Sequence, residues 1–273
     1  MLTSQTATNE AIGIFDSGIG GLTVAKEIAN LLPFEDIIYF GDTAHLPYGD
    51  KSTASIQAYS VKISHFLLSQ KVKAIVIACN SASAAAFELV REYVGSKALV
   101  LNVIDPVVDH VAAHYSGKRV GLIGTKQTIF SNIFHKKLDA LGSGIDLRSL
   151  PTPLLAPMIE EGFFNNKISI GVIEEYLHNP LLEGIDALIL GCTHYPLIAS
   201  EIKAFYKEKV DVIDSSVIVA SAVRKALTEQ GLLNKAHAVN RRFYVSDFTE
   251  AFENSTLLFF KDRVSLEHYP LWE

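Results

Sequence analysis

Short apolar runs that stop at small or polar residues recur along the chain: "AIGIFDSG", "DIIYFGD", "KAIVIACNS", "ALVLNVIDP", "RVGLIGT", "DALILGCTH" and "VDVIDSS". Continuous runs of this kind, without polar alternation, mark strands buried on both faces of a parallel sheet. The spacing between them is helical, so strands alternate with helices and an α/β fold is predicted. In such sheets ligands sit beyond the carboxyl ends of the strands, which makes the residues ending these runs the place to look for chemistry.

The pattern also repeats. "IGIFDS" (12–17) aligns with "VGLIGT" (120–125), and "AIVIACNSASA" (74–84) aligns with "ALILGCTHYPL" (187–197), at offsets of 108 and 113 residues. Each half then has a strand-to-helix turn with a hydroxyl residue and a later one with a cysteine. Two similar, pseudo-symmetric α/β domains with mainly parallel sheets are expected, the site lying in the cleft between them. The junctions fall near "NVIDPVV" and "VDVIDSS", giving a first domain of 1–102 plus 213–273 and a second of 103–212. After the second junction "VIVASAVRKALTEQG" reads as an amphipathic helix with a glycine stop and "RRFYVSD" as a further strand, a tail that returns to the first domain.

Composition narrows the function. Apolar residues make up 49% and charged residues 20% of the 273 positions, the balance of a soluble globular chain. A net charge of −6, with basic residues spread along the chain, argues against nucleic acid as the main partner. The start, "MLTSQTATNEAIGIF", has neither a basic leader nor a long apolar stretch, and no apolar run reaches the ~18 residues of a membrane span, so a cytoplasmic location is expected. There, two cysteines are expected to remain thiols rather than to form a disulfide.

Those cysteines carry the candidate chemistry. Cys79 and Cys192 each end a predicted strand, where a following helix would aim its free N–H groups at the sulfur and lower the thiol pKa. A lone cysteine in that place is more often inert packing. Two at matching positions in two halves suit a reaction that removes a proton from one face of a carbon and supplies one to the other, such as racemisation of an amino acid at Cα. A thiol with pKa near 8.5 is the stronger base than a carboxylate by roughly 4.5 units, about 6 kcal/mol.

Asp16 and Ser17 end the first strand before a glycine-rich turn. A dinucleotide fingerprint there fails at its third glycine, where Thr23 stands, and no phosphate-binding G-x-x-x-x-G-K-[ST] loop is present. Asp16 is either a helix cap or a carboxylate that binds an ammonium or orients a proton-transfer group. In "GDTAHLPYGDKS" Tyr48 and Gly49 offer a hydroxyl and an open backbone N–H, although Pro47 and Gly49 account for the turn by themselves. His194 lies two residues after Cys192. A zinc site would need further Cys/His pairs, so help with thiol ionisation is the better reading. Neither cysteine has the C-x-x-C neighbour of a redox pair.

Taken together, "GIFDSGIGGLTV", "GDTAHLPYG", "ACNSASA", "GLIGTKQT", "PMIEEG" and "LGCTHYPL" resemble the glutamate racemases of the cofactor-independent aspartate/glutamate racemase superfamily, over nearly the whole chain. The resemblance implies interconversion of L- and D-glutamate, supplying D-glutamate to peptidoglycan, without pyridoxal phosphate, metal or nucleotide, in what is often a homodimer. It matches Cys79 and Cys192 with the two acid/base thiols and Asp16 and His194 with their respective helpers. Asp16 with Ser17, Tyr48 with Gly49, Asn80 with Ser81, and Thr193 with His194 match substrate-binding pairs. Glu160 matches an active-site glutamate, with Glu161 beside it leaving the assignment open, and Thr125 and Thr128 match a side-chain carboxylate contact. Two departures stand out: Ser81 where the family usually has threonine, and "PTPLLAPM" where it commonly has a cysteine. An aspartate-specific relative and a non-catalytic amino-acid-binding module are the alternatives.

Overall fold

The computed structural model describes residues 9–248, 253, 256, 257 and 265–273. Among these residues ten strands form two all-parallel sheets. In the first, β1 (Ala11–Asp16) lies between β2 (Ile37–Gly41) and β3 (Val72–Ile77), with β4 (Leu99–Asn102) beyond β3. In the second, β5 (Arg119–Gly124) lies between β6 (Asp146–Pro151) and β7 (Ala187–Gly191), with β8 (Asp211–Ile213) beyond β7. The two orders are the same, second, first, third, fourth, so the self-similarity of the chain is a repeat of topology. β9 (Arg241–Val245) pairs with β2, and β10 (Leu266–His268) pairs with β9, extending the first sheet.

All seven runs read from the apolar pattern are strands. The strands that escaped it explain themselves. β6, "DLRSLP", buries only Leu147 and Leu150 and sits at a sheet edge, so it lacks a continuous apolar run. β10, "LEH", buries only Leu266 and exposes Glu267 and His268, so it carries no apolar run.

The helices complete the two layered units. α1 (Leu22–Leu31), α2 (Thr53–Ser69) and α3 (Asn80–Val94) belong to the first half, while α4 (Asp105–His114) follows β4 and leads toward β5. The second half carries α5 (Lys126–Phe130), α6 (Ile133–Ala140), α7 (Leu155–Glu160), α8 (Lys167–Leu177) and α9 (Ala199–Phe205), and α10 (Ser215–Glu229) runs back along α1 and α4. One apolar cluster joins Ile12, Ile14 and Val76 of the first sheet to Val120, Leu122 and Ile189 of the second through Val107 and Val111 of α4 and Val219 and Val223 of α10. A continuous core of this kind holds the sheets in one relative orientation, which fixes the strand ends across the cleft.

Candidate active site

One cavity gathers the loops that follow the strands. It contains about 390 Å³ of empty space, part of it open to solvent, and is lined by Ser17 after β1, by Leu46 to Gly49 after β2, and by Cys79, Asn80 and Ser81 after β3. The second half adds Thr125 after β5, Ala156 and Glu160 of α7, and Cys192, Thr193 and His194 after β7. In each sheet the first and third strands are neighbours at the point where strand order reverses, and crevices form there because the flanking loops diverge.

Cys79 is the N-cap of α3, its sulfur accepting from the backbone N–H of Ala82 at 3.5 Å. Its thiol faces the Ser17 hydroxyl at 3.7 Å. The helix terminus is where the sequence puts it, but the expected lowering of the pKa does not occur. Burial first, and then the Asp16 carboxylate, push the Cys79 thiol up to about 12. One amide N–H and one hydroxyl do not replace the water that a thiolate loses beside an anion. Asp16 is itself fully buried and accepts from Gly18 N–H at 3.1 Å. It does not cap α1, which starts at Leu22 after Gly21. Burial raises its pKa, opposed by His194 and by the backbone N–H groups of Gly21 and Gly18.

The surroundings of Cys192 differ from those of Cys79. No long helix begins there: the chain turns through a short 3-10 helix, Tyr195–Ile198, before α9. The expected helix mouth is replaced by an imidazole. His194 Nδ1 lies 3.6 Å from the Cys192 sulfur, and His194 Nε2 lies 3.3 Å from Glu160 Oε1. Burial alone would pull the imidazole down, but Glu160 and the contact with Cys192 outweigh it and hold His194 well above its ordinary range. One thiol therefore sits beside a carboxylate and the other beside a cation. Glu160 reaches the cavity whereas Glu161 is exposed, which separates the two glutamates that sequence left together.

Polar groups ring the thiols. Ser81 and Thr125, from opposite halves, share a hydrogen bond of 2.8 Å across the cleft. Thr125 caps α5 by accepting from Thr128 N–H at 3.2 Å, and Thr128, almost fully buried, stands behind it rather than on the cavity wall. Asp16 likewise stands behind the lining. Asn80 is buried on the wall, and its Nδ2 has no hydrogen-bond partner among the described residues. Thr193 is held by its carbonyl, which accepts from Thr23 Oγ1 at 3.0 Å. Tyr48 lines the cavity, but its hydroxyl is committed to Asp42, donating to Oδ2 at 2.6 Å. Asp42 and the apolar wall residues Leu46 and Ala156 were not singled out by sequence, and Pro47 was read only as a turn former, although Asp42 lies in the same "GDTAHLPYG" stretch. Its signal, a carboxylate directly after a buried strand, is the one that drew attention to Asp16.

Residues 12–223 match the family model described as Asp/Glu/Hydantoin racemase. A glutamate racemase of Sulfurihydrogenibium sp. is 40% identical over 243 residues, 89% of this chain and 90% of that one. The crystal structure of glutamate racemase from Francisella tularensis in complex with D-glutamate superposes with a TM-score of 0.90 at 40% identity, covering 97% of this chain and 99% of that one. The glutamate racemase isoform RacE1 of Bacillus anthracis gives a TM-score of 0.91 at 33% identity over 96% of this chain and 99% of that one. With matched strand-end thiols in one cavity and matches that span most of the chain, this protein is an isomerase and belongs to the Asp/Glu/Hydantoin racemase family.

Proposed function

We propose that the chain interconverts L- and D-glutamate by proton transfer at Cα between Cys79 and Cys192. The observation that carries this reading is that two thiols, at equivalent strand ends of two repeated halves, line a single cavity. The D-glutamate in the Francisella tularensis structure supports the choice of substrate.

The resting asymmetry assigns first roles. With a pKa of about 12, ionising Cys79 at pH 7 costs about 7 kcal/mol, so it rests as the proton donor. Cys192, beside the imidazolium of His194, is the base. Its thiolate takes the Cα proton and the C–H electron pair moves toward the α-carboxylate. The S–H bond of Cys79 then breaks as its proton joins the opposite face of Cα. The enzyme is left with Cys192 protonated and Cys79 ionised, the form that accepts the other enantiomer. Asp16 beside Cys79 and the Glu160–His194 pair beside Cys192 return each thiol to its working state. The Asn80 amide, the Ser81, Thr125 and Thr193 hydroxyls and the Gly49 backbone hold the two carboxylates, with Thr128 supporting Thr125.

This chemistry needs no resident cofactor, and its product would serve peptidoglycan assembly in the cytoplasm. No described helix is long and apolar enough to cross a membrane. The domain boundaries at 102/103 and 212/213 and a homodimeric state belong to the same reading.

The test is purified protein with L-glutamate in D₂O, following optical rotation and Cα deuteration. Loss of rotation with one deuteron entering per inversion is expected. A protein that exchanges aspartate but not glutamate would move the substrate assignment, and one that binds glutamate without exchange would leave only a binding module.

A further inference from the structure

The loop that carries Tyr48 and Gly49 hangs from one buried carboxylate. Asp42 has no exposed surface. Its Oδ2 accepts from the Tyr48 hydroxyl at 2.6 Å, and its Oδ1 accepts from Ser246 Oγ at 2.8 Å and from the indole Nε1–H of Trp272 at 2.7 Å. His45 Nδ1 stands 3.1 Å from each oxygen. The loop, the end of β9 and a segment distant in sequence therefore meet on a single side chain.

The indole does more than donate. Its ring meets His45 edge-on at 4.5 Å and Tyr59 at 5.3 Å, while His45 stacks on Tyr59 at 4.0 Å, and the Lys62 ammonium lies 4.6 Å from the indole centroid. Further bonds staple the loop to the residues after β9: Ala44 N–H donates to Ser246 Oγ at 3.0 Å and Asp247 N–H to Thr43 Oγ1 at 2.8 Å. On its other side the loop has no slack. A Cβ at Gly49 would come within 2.8 Å of Thr125 Cβ, so the loop backbone touches the wall contributed by the second half. Small movement of the anchor is passed directly to the width of the cavity.

We propose that Asp42 is a positioning residue for substrate binding and that Trp272, by donating to it, clasps the Leu46–Gly49 wall in its working place. The clasp acts through Tyr48 and Gly49 and does not touch the reacting atoms. Its loss loosens the carboxylate-binding wall in ground state and transition state alike, so it falls on KM rather than kcat. This inference rests on the glutamate reading only for the choice of assay substrate.

The experiment compares wild type with Trp272→Phe, which keeps an aromatic ring but removes the indole donor, and Asp42→Asn, which keeps shape but turns one acceptor into a donor. Racemisation kinetics with glutamate, thermal unfolding, and the proton NMR resonance of the indole N–H are read together. Trp272 is the chain's only tryptophan, so that resonance needs no assignment. In Trp272→Phe, KM rises at least fivefold with kcat within twofold and the unfolding temperature nearly unchanged. In wild type the indole proton exchanges slowly, and in Asp42→Asn its resonance shifts and exchange accelerates. Unchanged KM in Trp272→Phe, or a loss confined to kcat, overturns the proposal. Should wild type prove inert toward glutamate, the substrate reading fails on its own, and the indole proton still decides: a resonance in fast exchange and indifferent to Asp42→Asn overturns the clasp.

Discussion

The imidazole of His194 is 3.6 Å from the sulfur of Cys192, through Nδ1, and its other nitrogen faces Glu160 at 3.3 Å. Because Glu160 and Cys192 together hold the ring well above its ordinary range, a cation persists beside the thiol at neutral pH. The sign follows directly. A raised folded-state pKa stabilises the fold fully below the unfolded value of about 6.5, and that contribution is lost as pH rises through the folded value. Glu160→Gln removes the anion, lowers the His194 pKa, and shifts the alkaline limb of kcat/KM to lower pH. The fall in kcat at the optimum is roughly 10- to 100-fold, below that for a group that moves the proton itself. A pH–rate profile of the variant with an unshifted limb would remove Glu160 from this role.

The thiols themselves give the sharpest loss. A serine hydroxyl is a far weaker base than a thiolate, so Cys79→Ser and Cys192→Ser each lower net racemisation by at least ~10³-fold. Full activity in either variant would rule out that residue as a required base, and chiral chromatography of the reaction mixture reads the outcome.

Alkylation kinetics test the electrostatics of Cys79 apart from turnover. At a pKa of about 12 only about one thiol in 10⁴ is ionised at pH 8, so modification by iodoacetamide rises about tenfold per pH unit through the alkaline range. After burial, Asp16 is the next cause of that elevation, so Asp16→Asn speeds alkylation of Cys79 at pH 8 while slowing racemisation. Peptide mass spectrometry separates Cys79 from Cys192. Slower alkylation in the variant would reverse the assigned sign.

Gly20 is held as glycine by His194. A Cβ there would overlap His194 Cε1 and come within 2.5 Å of His194 Nδ1 and 2.7 Å of Thr193 Oγ1. Gly20→Ala displaces the imidazole from Cys192, lowering kcat about 100-fold against about 1–3 kcal/mol of stability. Steady-state kinetics beside denaturant unfolding check the ratio, and a stability loss with kcat intact would show that the ring has room to move.

Far from the cavity, Lys73 is buried near the start of β3, paired with Glu35 at 2.6 Å and donating to Leu232 O at 2.7 Å and Asn234 Oδ1 at 2.6 Å. Asn234 N–H in turn donates to Glu35 Oε1 at 2.8 Å, which pins the chain where it returns from α10 toward β9. Lys73→Met leaves a buried carboxylate without its partner and lowers stability by about 3–5 kcal/mol. Removing both charges with Glu35→Leu recovers part of that. Urea unfolding of the single and double variants, with kcat unaffected at 25 °C, is the measurement.

The seven continuous apolar runs and their repeat are local properties, because a strand buried on both faces must be apolar at successive positions wherever the rest of the chain lies. They placed Cys79 and Cys192 at equivalent strand ends, and the chain needed no folding for that to be visible. The edge strand β6 was hidden because four of its six residues are only partly buried and the apolar run is broken. Through-space relations were decided by tertiary structure alone. Neighbours in sequence, Glu160 and Glu161, part at the end of α7, where the step of about 100° between successive residues aims the first at His194 and leaves the second in solvent. Cys79 keeps the helix mouth that local pattern predicts, yet its pKa moves the other way, since desolvation and the Asp16 carboxylate depend on what the folded chain packs around the thiol. Asp42 draws its partners from residues up to 230 positions away, and no periodicity of the chain carries that information.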